Sequence, residues 1–332
     1  MAVTIGGHAY LDLGLSPLDM LFPATVALVL RLFLLQDSPI HVPRYRGSPR
    51  WILYGFLLLT VVYGALTLSL LLVWNESFIL QALGGLLTTL WTLLVFFVAG
   101  RSSKQELRRA ELQLGDTSRA VRLVLGAVVF LALQAGLNLV VGLGTFRGVA
   151  ERIYGIAVPD RLYPPALVVA FALAVTGIPL SGLAVVFGEE YGWRGFLQDE
   201  LAELGRRPAA LLTGLVWGVW HVPVMLSGVH TYPATELGIG LGLVFFLLWG
   251  FVQSYAVLKT RSIWVAAFLH GLVNSVYGFT TEYIVRPESR VLSFGLGVYG
   301  LACLAAVVLV LLRDPVWEAA SDRAAQASAT TG

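Results

Sequence analysis

Charge is scarce in this chain. Asp, Glu, Lys and Arg make up 13% of its 332 residues, against roughly 25% in a soluble globular domain. With 57% hydrophobic residues, a chain of this length has too little interior to hide its apolar surface. A soluble class is excluded, and a polytopic helical membrane protein remains. The net charge of +2, with no basic stripe interleaved with aromatics, excludes a nucleic-acid partner. The single cysteine, Cys303, excludes an internal disulfide and reads as a small packing residue. The first 20 residues lack a basic n-region and contain Asp12, Pro17 and Asp19, which argues against a cleavable signal peptide. Lysine is rare beside arginine, and Ala, Gly and Leu abound, a composition in keeping with a GC-rich prokaryotic genome.

Several catalytic patterns are missing too. There is no His-Glu-x-x-His helix, no Gly-x-Ser-x-Gly elbow, no Walker loop and no paired-cysteine metal motif. Their absence removes the standard zinc proteases, the serine hydrolases of the elbow type and the P-loop enzymes.

What is present is a series of apolar runs near 20–35, 51–74, 78–100, 121–144, 165–187, 209–227, 237–258, 262–279 and 291–312. Each approaches the length needed to cross a bilayer. The predicted fold is all-α, a transmembrane bundle of nine spans, or eight if the first, which carries Arg31, does not cross. Arg31 is expected to snorkel to the interface. With nine alternating spans, the arginine-rich loops around Arg44–Arg50, 101–122, Arg206, Lys259 and Arg313 fall on one side. The positive-inside rule makes that side cytoplasmic, the N-terminus external and the C-terminus internal. Loop 101–120 is expected to form a helix or hairpin on the membrane surface, and the Ala/Ser/Thr-rich tail after Trp317 to be disordered. The chain divides into a variable N-terminal membrane region, 1–160, with about four spans; a core, 161–290; and a last span with its tail, 291–332.

Three polar groups interrupt the core's apolar runs. Charge beside lipid is costly and is seldom kept without a use. Glu190 and Arg194 stand four apart, on one helical face, and can form an ion pair. Glu189 is turned about 100° away, so one acid can be held while the other faces a cavity. The acid pair lies either at the end of the fifth span or in a second, shifted helix running to about Leu204. Trp217 precedes His221 by one turn, with Gly214 and Gly218 at a spacing that allows close helix packing. His270 and Asn274 also stand four apart and together offer donors for a developing oxyanion. Taken singly, these groups read as a solvated helix end, a backbone-bonded histidine and interhelical glue. One shared polar site accounts for all three costs at once.

These residues resemble the CAAX-protease and bacteriocin-processing family of intramembrane endopeptidases. The family's ordered motifs appear as Glu189-Glu190-x-x-x-Arg194, Trp217-x-x-x-His221 and His270-x-x-x-Asn274, with Trp217 where Phe is usual. The resemblance covers about 165–285. It implies peptide-bond hydrolysis near the end of a lipid-modified or hydrophobic peptide, with Glu189 as general base assisted by His221. It further implies that His270 and Asn274 stabilise the oxyanion and that Glu190 and Arg194 organise the site. A metal-free glutamate mechanism needs no cofactor; a zinc version would draw its ligands from His221, His270 and Glu189. The partners implied are a peptide or lipid-modified protein substrate and the lipid bilayer. The rival readings are a proton-coupled transporter and a non-catalytic scaffold or immunity protein.

Overall fold

The computed structural model describes residues 15–69, 77–148, 152–226 and 235–318. The tail from 319 onwards, His8 and His230 lie outside the described residues. The helices in chain order are α1 Leu15–Val29, extended by a wide turn Leu30–Leu34, α2 Arg50–Ser69, α3 Ser77–Ala99, α4 Lys104–Arg109 and α5 Thr117–Val140. They are followed by α6 Asp160–Ser181, α7 Leu183–Glu190, α8 Arg206–Leu226, α9 Glu236–Thr260, α10 Ile263–Ile284 and α11 Val298–Leu311. Sheet is confined to two short antiparallel pairs, β1 Gly144–Phe146 with β4 Val285–Pro287 and β2 Arg152–Ile153 with β3 Ile156–Ala157. The protein is an all-α polytopic bundle, and among the described residues seven helices are long and apolar enough to cross a membrane.

The first and the last of the nine runs are not among these seven, and both carry helix. The first run is helical from Leu15 through Pro23 to Val29 and continues as the wide turn to Leu34. The last run becomes helical only at Val298. The residues before it form a loop held by two polar side chains of α5. Asn138 Oδ1 accepts from Phe294 N at 2.9 Å, and Gln134 Oε1 accepts from Gly295 N at 3.0 Å. Backbone groups bonded in this way are withdrawn from a helix ladder.

The arginine-rich loops do gather at one end of the bundle. Asp116 N donates to Thr260 O at 2.8 Å, Lys259 Nζ meets Asp314 at 2.6 Å and Arg206 donates to Val316 O at 2.7 Å. At the opposite end β1 pairs with β4, and Arg147 reaches Glu282 at 3.4 Å.

Arg31 does not reach solvent. It is 3% exposed, ion-paired with Glu111 and, at 3.3 Å, with Asp199. Within loop 101–120 the helix α4 has no buried residue, and the segment after it is anchored to the bundle. Ala110 and Leu112 are buried, Leu112 O accepts from Trp264 Nε1 at 2.8 Å, and the strap closes the bundle's end.

This strap begins at α4 with a capping box. Glu106 accepts from the backbone N–H of Ser103 at 2.8 Å and of Ser48 at 3.2 Å. The Ser103 backbone donor, followed by the Ser103 hydroxyl and the Ser48 amide, holds the Glu106 carboxyl below its ordinary value of 4.5. A carboxyl lowered by folding stabilises the fold above its unfolded value and loses that contribution as pH falls through the folded one. Amide protection at Ser48 and Ser103, measured by hydrogen exchange, should therefore fall once pH drops below about 4.5. Protection unchanged to the lowest pH would show that the box does not hold these amides.

Candidate functional site

The acid pair lies in the second of the two helical segments that the sequence left open. Helix α6 ends at Ser181, and α7 begins at Leu183 and carries Glu189 and Glu190. A wide turn Tyr191–Leu197 then continues to Leu204 through Gln198–Glu200. Gly188 and Gly192 bracket the acids and let α1 approach closely. A Cβ at Gly188 would stand 2.4 Å from Met20 O, and one at Gly192 2.4 Å from the Pro23 carbonyl carbon. The same device acts between α8 and α9, where a Cβ at Gly214 would meet the Leu247 backbone at 3.3 Å.

Close packing seals the site. Glu189 is 1% exposed, Glu190 0% and Arg194 2%. Arg194 Nη1 lies 3.1 Å from Glu190 Oε1 and 3.0 Å from Oε2. His270 Nδ1 stands 2.9 Å from the same Glu190 Oε1, and Gln253 Nε2 donates to it at 3.3 Å. Glu190 is thus held by three elements: its own helix, α9 and α10. Its carboxylate is committed to binding the site together.

Glu189 is placed differently, as the 100° turn between neighbours requires. Its Oε2 accepts from Trp217 Nε1 at 2.5 Å, and its Oε1 lies 4.0 Å from His221 Nε2. His221 Nδ1 stands 2.9 Å from Trp217 O. A carbonyl only accepts, so Nδ1 carries the proton and, in the neutral ring, Nε2 is an acceptor. The His221 ring stacks on Phe246 with centroids 3.9 Å apart. His221 is partly open, with 15% side-chain exposure, whereas Glu189 is closed off behind it.

The structure brings Glu189, Glu190, Arg194, His221 and His270 into one cluster. Asn274 stands one turn beyond His270 on α10. Its side chain is exposed and takes no part in the cluster's hydrogen bonds. Gln253 was not singled out from the sequence, although an amide in the middle of an apolar run is a signal of the same kind as the histidines.

Among the described residues no group of three or more His, Cys, Asp or Glu is arranged to hold a metal ion. His270 Nδ1 bonds Glu190, and Glu189 Oε1 faces His221 Nε2. A cleft of about 340 Å³ between α5 and α10, lined by Val121, Val124, Trp264 and Phe268, is apolar. Phe268 and His270 lie about 200° apart on α10, so this cleft belongs to the other face of that helix.

The architecture is that of an integral membrane protein with a polar acid–histidine site enclosed among its helices. Residues 161–276, roughly a third of the chain, match the family model described as type II CAAX prenyl endopeptidase Rce1-like. The segment runs from α6 through the first two-thirds of α10 and contains every residue of the three motifs. No curated protein and no solved structure matches the chain.

Proposed function

We propose that the protein is an intramembrane endopeptidase that hydrolyses a peptide bond with water held between Glu189 and His221. The observation that carries this reading is the 4.0 Å separation of Glu189 Oε1 and His221 Nε2. It is too long for a hydrogen bond and suits one water bonded to both at about 2.8 Å. Both facing atoms are acceptors, so the water donates one proton to each and keeps its lone pairs for attack. On attack at the peptide carbonyl carbon, Glu189 takes the water's proton. It then delivers that proton to the leaving amine as the C–N bond breaks.

The resulting oxyanion needs donors. With Nδ1 of His270 donating to Glu190, its Nε2 faces the oxyanion as a donor only when the ring carries both protons. The Asn274 amide, exposed one turn further on, is available to a substrate backbone. Glu190 and Arg194 hold the helices that position these groups. No step is assigned to a metal or other cofactor.

The substrate class on this reading is the hydrophobic or lipid-modified end of a peptide or small membrane protein. The arginine-rich end of the bundle faces the cytoplasm of a prokaryotic cell, with the N-terminus outside and the C-terminus inside. Residues 1–160 act as a variable membrane region, 161–290 as the catalytic core, and 291–332 as a last span and tail.

The test is cleavage by the purified protein in lipid, on a panel of prenylated and unmodified membrane peptides, in H₂¹⁸O. The expected result is a product whose new carboxyl terminus carries one ¹⁸O, found by mass spectrometry and missing from a Glu189→Gln control. Products identical in the two proteins, or products without the label, would overturn the reading.

A further inference from the structure

Trp217 touches Glu189, Arg194, His221 and His270, through its N–H, its ring and its carbonyl. The indole N–H donates to Glu189 Oε2 at 2.5 Å. The ring lies under the Arg194 guanidinium at 4.3 Å and meets Phe246 edge-on at 4.8 Å and His270 at 5.5 Å. The carbonyl accepts from His221 Nδ1 at 2.9 Å. The side chain is 1% exposed, so water does not compete for the indole.

The geometry points to Trp217 as a positioning residue that fixes the rotamer of Glu189, so that Oε1 alone faces His221 and the attacking water. The inference rests on the hydrolytic reading of the site. An ionised carboxylate has two equivalent oxygens and turns easily about its last torsion. In a water-free surround, an oxygen without a donor is costly. The indole removes that freedom by binding one oxygen with a charge-assisted hydrogen bond. Indole is a donor only. It cannot accept the water's proton, and so it orients the base without replacing it. Its carbonyl fixes the His221 tautomer at the same time, which ties both acceptors of the water to one rigid residue of α8.

The test must separate the N–H from the ring. Trp217 is replaced site-specifically by β-(3-benzothienyl)alanine, which keeps the bicyclic shape and puts sulfur where the N–H stood. Trp217→Phe serves as a second, natural variant. Removing a hydrogen bond to a charged group is expected to lower kcat about 10- to 100-fold, with KM within about twofold. The carboxylate stretch that disappears from the infrared spectrum of Glu189→Gln should shift in both Trp217 variants. A role confined to ring packing would move neither readout in the benzothienyl protein. An unmoved band, seen with or without turnover, or a benzothienyl protein with wild-type kcat, overturns the inference. If Glu189→Gln itself cleaves like the wild type, the hydrolytic reading fails instead, and the two failures are distinguishable.

Discussion

Glu189→Gln is expected to slow peptide cleavage by about 10²- to 10⁴-fold, the usual contribution of a general base, while the thermal midpoint stays at or above that of the wild type. The amide keeps the size of the side chain and an oxygen for the Trp217 N–H, but it cannot take the water's proton. Stability is retained because the charge removed is a poorly compensated one. Glu189 is 1% exposed, and the neighbours it faces are an indole at 2.5 Å and a histidine nitrogen at 4.0 Å. Burying such a carboxylate costs free energy that a neutral amide avoids. A site of this kind trades stability for activity. Glu190→Gln should behave in the opposite way. Its carboxylate binds Arg194, Gln253 and His270, so its loss should lower the midpoint markedly. Assays of rate and of thermal unfolding in the same lipid would check both. Cleavage at the wild-type rate by Glu189→Gln would remove Glu189 from the chemistry.

Arg194→Met is expected to destabilise the protein by about 3–5 kcal/mol, because it leaves the Glu190 charge without its cation in a sealed site. Both side chains are 0% exposed and 3.0 Å apart, so water cannot take over. The methionine also forfeits the stacking of the guanidinium on Trp217 at 4.3 Å. The double variant Glu190→Gln/Arg194→Met removes both charges and should unfold at a higher temperature than Arg194→Met alone. That order, single variant below double, is the sign of a buried pair whose members cannot be removed independently. Arg194→Met with a wild-type midpoint would mean that the pair does not hold α7 against α9 and α10.

The class of the protein could be read in the sequence because bilayer chemistry leaves little choice. Backbone groups in hydrocarbon must bond within their own segment, so long apolar runs with few charges had to become helices. The runs near 121–144, 209–227, 237–258 and 262–279 did so as Thr117–Val140, Arg206–Leu226, Glu236–Thr260 and Ile263–Ile284. The Glu190–Arg194 pair was equally local: a four-residue spacing on a helix brings the two side chains together wherever the helix is placed. The opposed orientation of Glu189 followed from the same period.

Contacts between distant segments were beyond that reasoning. Arg31 was expected to seek water, and it lies buried because Glu111 and Asp199, 80 and 168 residues away, meet it. The last run was shortened by Gln134 and Asn138, which take backbone groups from the loop before it. The indole that faces Glu189 comes from a helix 28 residues on, and the histidine on Glu190 from one 80 residues on. Local sequence fixes the period of a helix, the length of a run and the identity of its polar residues, since those depend on neighbours in the chain. The depth of Glu189, the partner of each of its oxygens and the exposure of Asn274 depend on which helix faces lie against each other. Packing alone decides that, here through the close approach of α1 at Gly188 and Gly192 and of α9 at Gly214.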